Sequence, residues 1–201
     1  MIRLVLPCVV AVFLAGCATT VPDSWIAPEA IRMPGRISIR LPAAEIGNKG
    51  DLVNSLKTDS VGFREWLKPI LREQVCLATR IDTIDWVDSL DVVADTAAPG
   101  WERFGLERPA TRAGRGWILV VSGLRAGRAL HQGKAVDGIQ AESQALEMEA
   151  SYLLVDRGSG RSMASGHARV ASPFRSFMDR SNWEDAAAAL GQRIGERLPR
   201  R

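Results

Sequence analysis

Three adjoining pieces of sequence decide the fold: QALEMEASYLLVD (residues 144–156), RGSG (157–160) and RSMASGHARVA (161–171). In the first, Leu146, Met148, Ala150, Tyr152 and Leu154 recur at every second position. That is the period of a strand with one face on a core. The Gly-rich RGSG supplies a tight turn, and residues 161–171 return as the antiparallel partner.

Working outward toward the C-terminus, residues 172–180 cross back, with Phe174, Phe177 and Met178 as packing side chains. A helix then begins at Ser181 or Asn182, because Ser181 with Glu184 and Asn182 with Asp185 both have capping-box spacing. Trp183, Ala186, Ala187, Leu190, Ile194 and Leu198 form its apolar stripe, and Pro199 ends it.

Working outward in the other direction, WILVVSGL (117–124) is apolar throughout and predicts a strand buried on both faces. Residues 125–139 hold three glycines and read as a turn or an irregular strand. Residues 97–116, rich in Gly and Pro, read as a loop or hairpin, and a connection that long is commonly functional or mobile. Residues 81–95 leave helix and short strand open. A helix is predicted over 60–80, capped by Asp59 or Ser60, with a stripe of Phe63, Trp66, Leu67, Ile70, Leu71, Val75 and Ala78; Pro69 should kink or divide it. Residues 43–57 read as a loop. RISIRL (36–41) alternates as a half-buried strand. Two amphipathic helices on one face of a mainly antiparallel sheet make an α+β domain, expected over residues 35–201.

The composition agrees with a single domain. The chain has 201 residues, 46% of them hydrophobic and 24% charged, which excludes disorder and collagen. A net charge of +3 is too small to imply nucleic acid. The charge is divided: residues 17–96 carry 9 basic and 12 acidic residues, whereas 97–201 carry 16 and 11.

Motifs for chemistry are scarce. Beyond the N-terminal segment the chain has two histidines, His131 and His167, and one unmodified thiol, Cys76. It lacks HExxH and CxxC for a metal and GxSxG for a serine nucleophile, so no catalytic residue, metal ligand or cofactor is expected. Ser165 and His167 fall on one face of a predicted strand, where a hydrogen bond needs no catalysis to explain it. His131 is expected to be solvated, and Cys76 to be a small core residue. The acidic series Asp82, Asp85, Asp88, Asp91 and Asp95 lacks the loop chemistry of a calcium site and reads as a solvated face. The 97–116 loop carries Trp101, Arg103, Phe104, Arg108, Arg112 and Arg115, a set suited to headgroups, phosphates or an acidic partner.

The N-terminus supplies an address. Met1-Ile2-Arg3 is a short positive region, and residues 4–16 run apolar for 13 residues. That is too short to span a bilayer, which needs about 20, and has the length of a signal-peptide core. It ends in Leu14-Ala15-Gly16-Cys17, which resembles the lipobox of bacterial lipoproteins. The resemblance implies recognition of Leu14, Ala15 and Gly16 by the signal peptidase and removal of residues 1–16. It also implies diacylglyceryl attachment to the Cys17 sulfur and acylation of its new amino group. Ala18, in place of the aspartate that retains such proteins in the inner membrane, implies sorting to the outer membrane. Residues 17–34, with three prolines, read as the lipidated end and an extended tether.

The remaining chain is similar to the small α+β envelope lipoproteins: auxiliaries of ABC-type lipid transport, lipopolysaccharide-assembly lipoproteins and activators of peptidoglycan synthases. The similarity lies in the hairpin over 150–161, in Ala164-Ser165-Gly166 and in the alanine-rich closing helix. It implies a non-enzymatic accessory subunit facing the periplasm with an envelope protein as partner. A lipid- or glycan-binding module is the alternative.

Overall fold

The computed structural model describes residues 23–30, 32–111, 114–132, 142–174 and 177–201. The elements run β1 (Ser24–Ile26), β2 (Arg36–Arg40), β3 (Glu45–Ile46), α1 (Lys49–Leu56), α2 (Ser60–Thr79), β4 (Thr83–Trp86) and β5 (Val92–Ala94). They continue with α3 (Trp101–Phe104), β6 (Glu107–Pro109), β7 (Trp117–Gln132), β8 (Glu142–Asp156), β9 (Arg161–Phe174) and α4 (Arg180–Glu196). The main sheet has the order β1-β9-β8-β7-β2-β4, with β3 also on β7. The β1-β9-β8-β7 half is antiparallel, and β2 runs parallel to both β7 and β4. This is the expected α+β class.

The alternation read in 144–156 places Leu146, Met148, Ala150, Tyr152 and Leu154 in one fully buried row. Against that face lie α2, through Phe63, Leu67, Leu71 and Val75, and α4, through Trp183, Ala186, Ala187, Leu190 and Ile194. Phe63 meets Trp183 edge-on, ring centroids 5.4 Å apart at 71°; full burial of side chains this large stabilises by about 2–3 kcal/mol each. The two helices approach closely because α4 is bare where it crosses α2. A Cβ on Gly195 would lie 2.6 Å from Ala78 Cβ, and one on Gly191 2.9 Å from Gln74 Cβ.

The other face of the sheet explains why 117–124 is apolar without alternation. Ile118, Val120, Leu153 and Val155 form a second buried cluster with Ala98 and Leu106, beneath β5, α3 and β6. The expected long loop is therefore a lid with its own two-stranded sheet and helical turn. Its apolar residues have a core of their own to fill.

Several local expectations are corrected. Residues 43–57 contain β3 and α1, the latter started by Asn48, whose side chain accepts from Gly50 N–H at 3.0 Å. Asp59 caps α2, but Pro69 does not divide it; the proline lies on the exposed side, where its ring meets solvent. α4 begins at Arg180, one residue before Ser181 and two before Asn182, with a capping box formed by Asp179 and Asn182 rather than by Ser181 or Asn182 with a later acid. Phe174 and Met178 pack, whereas Phe177 is 86% exposed. Residues 125–132 continue β7 as regular strand, with His131 paired in register to Ser143. The acidic stretch resolves into β4 and β5. Asp82, Asp85 and Asp88 pair with Arg201, Arg36 and Lys68, while Asp95 is buried and accepts from Ser162 at 3.0 Å. Part of the expected tether is also built into the domain: β1 adds to the edge of β9, and Ala27, Ala30 and Met33 are buried.

Candidate functional site

Where the lid stops, the outer face of the sheet opens into a cavity of about 620 Å³. Its walls come from five parts of the chain, Asp23 before β1 being one. The lid supplies Arg103 and Phe104, β7 supplies Arg125, β8 and β9 supply Ser151, His167 and Arg169, and α4 supplies Arg193 and Arg197 around the sheet edge.

Two irregularities in the sheet bring these side chains together. The β8–β9 pairing shifts by one residue between Leu154 and Val155, so that Ala164, Gly166 and Ala168 face Leu154, Tyr152 and Ala150, and His167 stands opposite Ser151. The β7–β8 pairing shifts between Ser122 and Arg125, where Gly123 takes φ +56° and Arg125 comes opposite Glu149. Both are bulges, which re-aim side chains at the cost of ladder regularity.

The result is a polar row on one sheet face. His167 Nδ1 and Ser151 Oγ share a hydrogen bond at 3.3 Å, whose direction follows the imidazole tautomer. His167 Nε2 lies 3.6 Å from a Glu149 oxygen, beyond hydrogen-bond length. Burial holds the imidazole pKa below its ordinary value; Glu149 and Asp23 pull it up, and Arg103 and Arg169 push it down. Ser165, expected beside His167, instead donates to the Pro99 carbonyl at 2.8 Å and ties the lid to β9.

Asp23 closes the rim. His167 N–H donates to the Asp23 carbonyl at 2.9 Å, and its carboxylate pairs with Arg103 at 3.3 Å. Only glycine fits at 166, because a Cβ there would lie 2.5 Å from the Tyr152 hydroxyl and 2.7 Å from the Asp23 carbonyl. Tyr152 is buried under this crossing, and burial lifts its phenol well above the ordinary value despite Arg197 and Arg193 nearby.

The arginines differ in how they are compensated. Arg125 pairs with Glu45 at 2.9 Å and Glu149 at 3.5 Å, and Arg169 with Glu147 at 2.7 Å. Arg197 donates to two carbonyls, His167 at 2.5 Å and Asp23 at 3.5 Å. Among the described residues no carboxylate pairs with Arg197 or with the exposed Arg193.

Of the residues singled out in the sequence, Leu14, Ala15, Gly16, Cys17, Ala18 and Arg112 lie outside the described residues. Trp101 and Phe104 pack half-buried against the second core, and Arg103 forms the pair with Asp23. Arg108 is partly buried with its Nε enclosed, and Arg115 is exposed. The structure brings Arg103 and Phe104 to the cavity and leaves Trp101, Arg108 and Arg115 outside its wall. Ser151, Arg169, Arg193 and Arg197 carried no sequence signal, since each occupies an ordinary strand or helix position. Cys76 is half-buried on α2, and burial raises its thiol pKa. Among the described residues no group of three or more His, Cys, Asp and Glu is placed to hold a metal ion.

No family model matches the sequence, and no curated protein matches it. Among solved structures, the PelC dodecamer from Paraburkholderia phytofirmans is similar at TM-score 0.44 and 12% identity, over 88% of this chain and 96% of that one. A neuraminyllactose-binding hemagglutinin homolog from Helicobacter pylori is similar at TM-score 0.41 and 6% identity, over 84% and 86%. A minor lipoprotein from Acinetobacter baumannii is similar at TM-score 0.39 and 13% identity, over 83% and 98%.

Proposed function

We propose that the chain is a bacterial envelope lipoprotein, cut before Cys17 and held by lipid on that residue in the outer membrane. In this reading it serves there as a non-enzymatic accessory subunit of an assembly or lipid-transport machine. The observation that carries the anchor is the apolar run closing in Leu14-Ala15-Gly16-Cys17, followed after only five residues by Asp23, next to β1 of the domain. Six residue steps reach at most about 20 Å. The domain is thereby kept beside the bilayer. Each methylene buried in lipid contributes about 0.8 kcal/mol, so two or three chains hold it stably. Among the described residues no helix is long and apolar enough to cross a membrane.

The alternative, a periplasmic lipid- or glycan-binding module, draws on the cavity. Its floor of Ser151 and His167 offers hydrogen bonds and its arginines offer charge.

Density fractionation of membranes tests the address: recovery with the outer membrane is expected, and recovery with the inner membrane contradicts the use made of Ala18. A photo-crosslinker at the exposed Arg115 tests the accessory role. A discrete adduct with one envelope protein supports it, and adducts only with lipid favour the binding module.

A further inference from the structure

We propose that the cavity between Asp23, β9 and α4 is a phosphate site, and that the phosphate is the headgroup of an anionic lipid in the membrane that holds the chain.

Arg193 in the last turn of α4 and Arg197, its C-cap, stand four residues apart and both line the cavity. Like charges at that spacing destabilise a helix by a few tenths of a kcal/mol. The helix C-terminus offsets part of this. It does not account for Arg197 folding over the sheet edge onto the carbonyls of His167 and Asp23. Nor does it account for Arg125 and Arg169 reaching the same space from β7 and β9. An anion between Arg193 and Arg197 would relieve their repulsion, and guanidinium forks match phosphate oxygens in pairs. The sheet floor adds Ser151 Oγ. In register with it, Ser122 Oγ is buried without a hydrogen-bond partner among the described residues. Unsatisfied groups of this kind destabilise unless something meets them.

The lipid source follows from the sequence distance to the anchor. Asp23 is a wall of the cavity, and only five residues separate it from Cys17. This step rests on the lipid-anchor reading above. If Cys17 is in the bilayer, the cavity lies within about 20 Å of the headgroups.

Native mass spectrometry of the full chain purified from membranes in detergent tests the proposal, with phosphatidylglycerol, phosphatidylcholine and inorganic phosphate as probes. The expected result is one retained phosphatidylglycerol that phosphatidylcholine and inorganic phosphate do not displace. The Arg193→Gln, Arg197→Gln double variant should hold it about tenfold more weakly. Arg180→Gln, at the far end of α4, should hold it normally. Arg193 is exposed, so Arg193→Gln alone keeps the test open if the double variant fails to fold, with a weakening of severalfold expected. Equal retention by the arginine variants overturns the site. Equal retention of the two lipids, or displacement by inorganic phosphate, overturns the anionic headgroup as its ligand. The covalent mass in the same spectrum reports acylation of Cys17 independently. An acylated chain with no arginine-dependent adduct removes the site alone, and an unacylated chain with such an adduct removes the anchor alone.

Discussion

The ring of His167 on β9 lies flat against the ring of Phe104 on α3, centroids 5.2 Å apart and planes 3° from parallel. This contact joins the lid to the open part of the sheet, and the Ser165 bond to the Pro99 carbonyl pins the same lid from beneath. The rim of the cavity is therefore as firm as the second core that carries it.

Truncating that contact should loosen the lid without unfolding the main core. Phe104→Ala removes the stack and part of the second cluster, a loss of about 1–3 kcal/mol for a half-buried ring. Trypsin cleavage after Arg103 should accelerate while the melting of α2 and α4 changes little. Cleavage at the wild-type rate would show that Phe104 does not hold the lid.

The depressed pKa of His167 gives stability a definite pH dependence. The folded imidazole resists protonation, so as pH falls through the ordinary histidine value the unfolded chain takes up a proton that the folded chain refuses. The contribution is complete above about pH 6.5 and is lost on acidification below it. Urea unfolding at pH 7.5 and 5.5 should therefore show a larger acid loss in the wild type than in His167→Gln. Equal losses would remove His167 from the account.

The close crossing of α2 and α4 makes Gly195 a position where a helix-favouring change should destabilise. Alanine gains about 1 kcal/mol in helix propensity. Its methyl would meet Ala78 Cβ at 2.6 Å, and overpacking of that kind costs about 1–3 kcal/mol. Gly195→Ala should lower the melting temperature by a few degrees. A rise would mean that the helices separate freely.

Ser151, His167 and Glu149 have the residue types of a hydrolytic triad, and the non-enzymatic reading expects them to be inert. Ser151 is buried in the middle of a central strand, paired on both sides, and the imidazole–carboxylate separation of 3.6 Å leaves the base unheld. A fluorophosphonate probe should not label the protein. Stoichiometric labelling at Ser151, abolished in His167→Gln, would establish a nucleophile and overturn that part of the proposal.

Much of the fold was legible because burial writes periodicity into strands and helices. The row from Leu146 to Leu154, the stripe from Phe63 to Val75 and the apolar block from Ile118 to Val121 all read correctly, the last for the stated reason of burial on both faces. The lid is not legible because its helix has four residues and its two strands three each, too few to show a period. The site was least legible. A plain turn pairing Asp156 with Arg161 would carry Ser151 opposite Gly166; the extra residue on β9, Met163 between the partners of Leu154 and Val155, moves it opposite His167. No residue type marks that shift, and the convergence of Arg125, Arg169, Arg193 and Arg197 depends on the shifts in both ladders.

Mass analysis of the N-terminal peptide from membrane-purified protein tests the anchor most directly. The account predicts a chain starting at Cys17 with a diacylglyceryl thioether and an acylated amino group, and an uncut, unmodified precursor in Cys17→Ala. A wild-type chain that keeps residues 1–16, or begins at an unmodified Cys17, would contradict it.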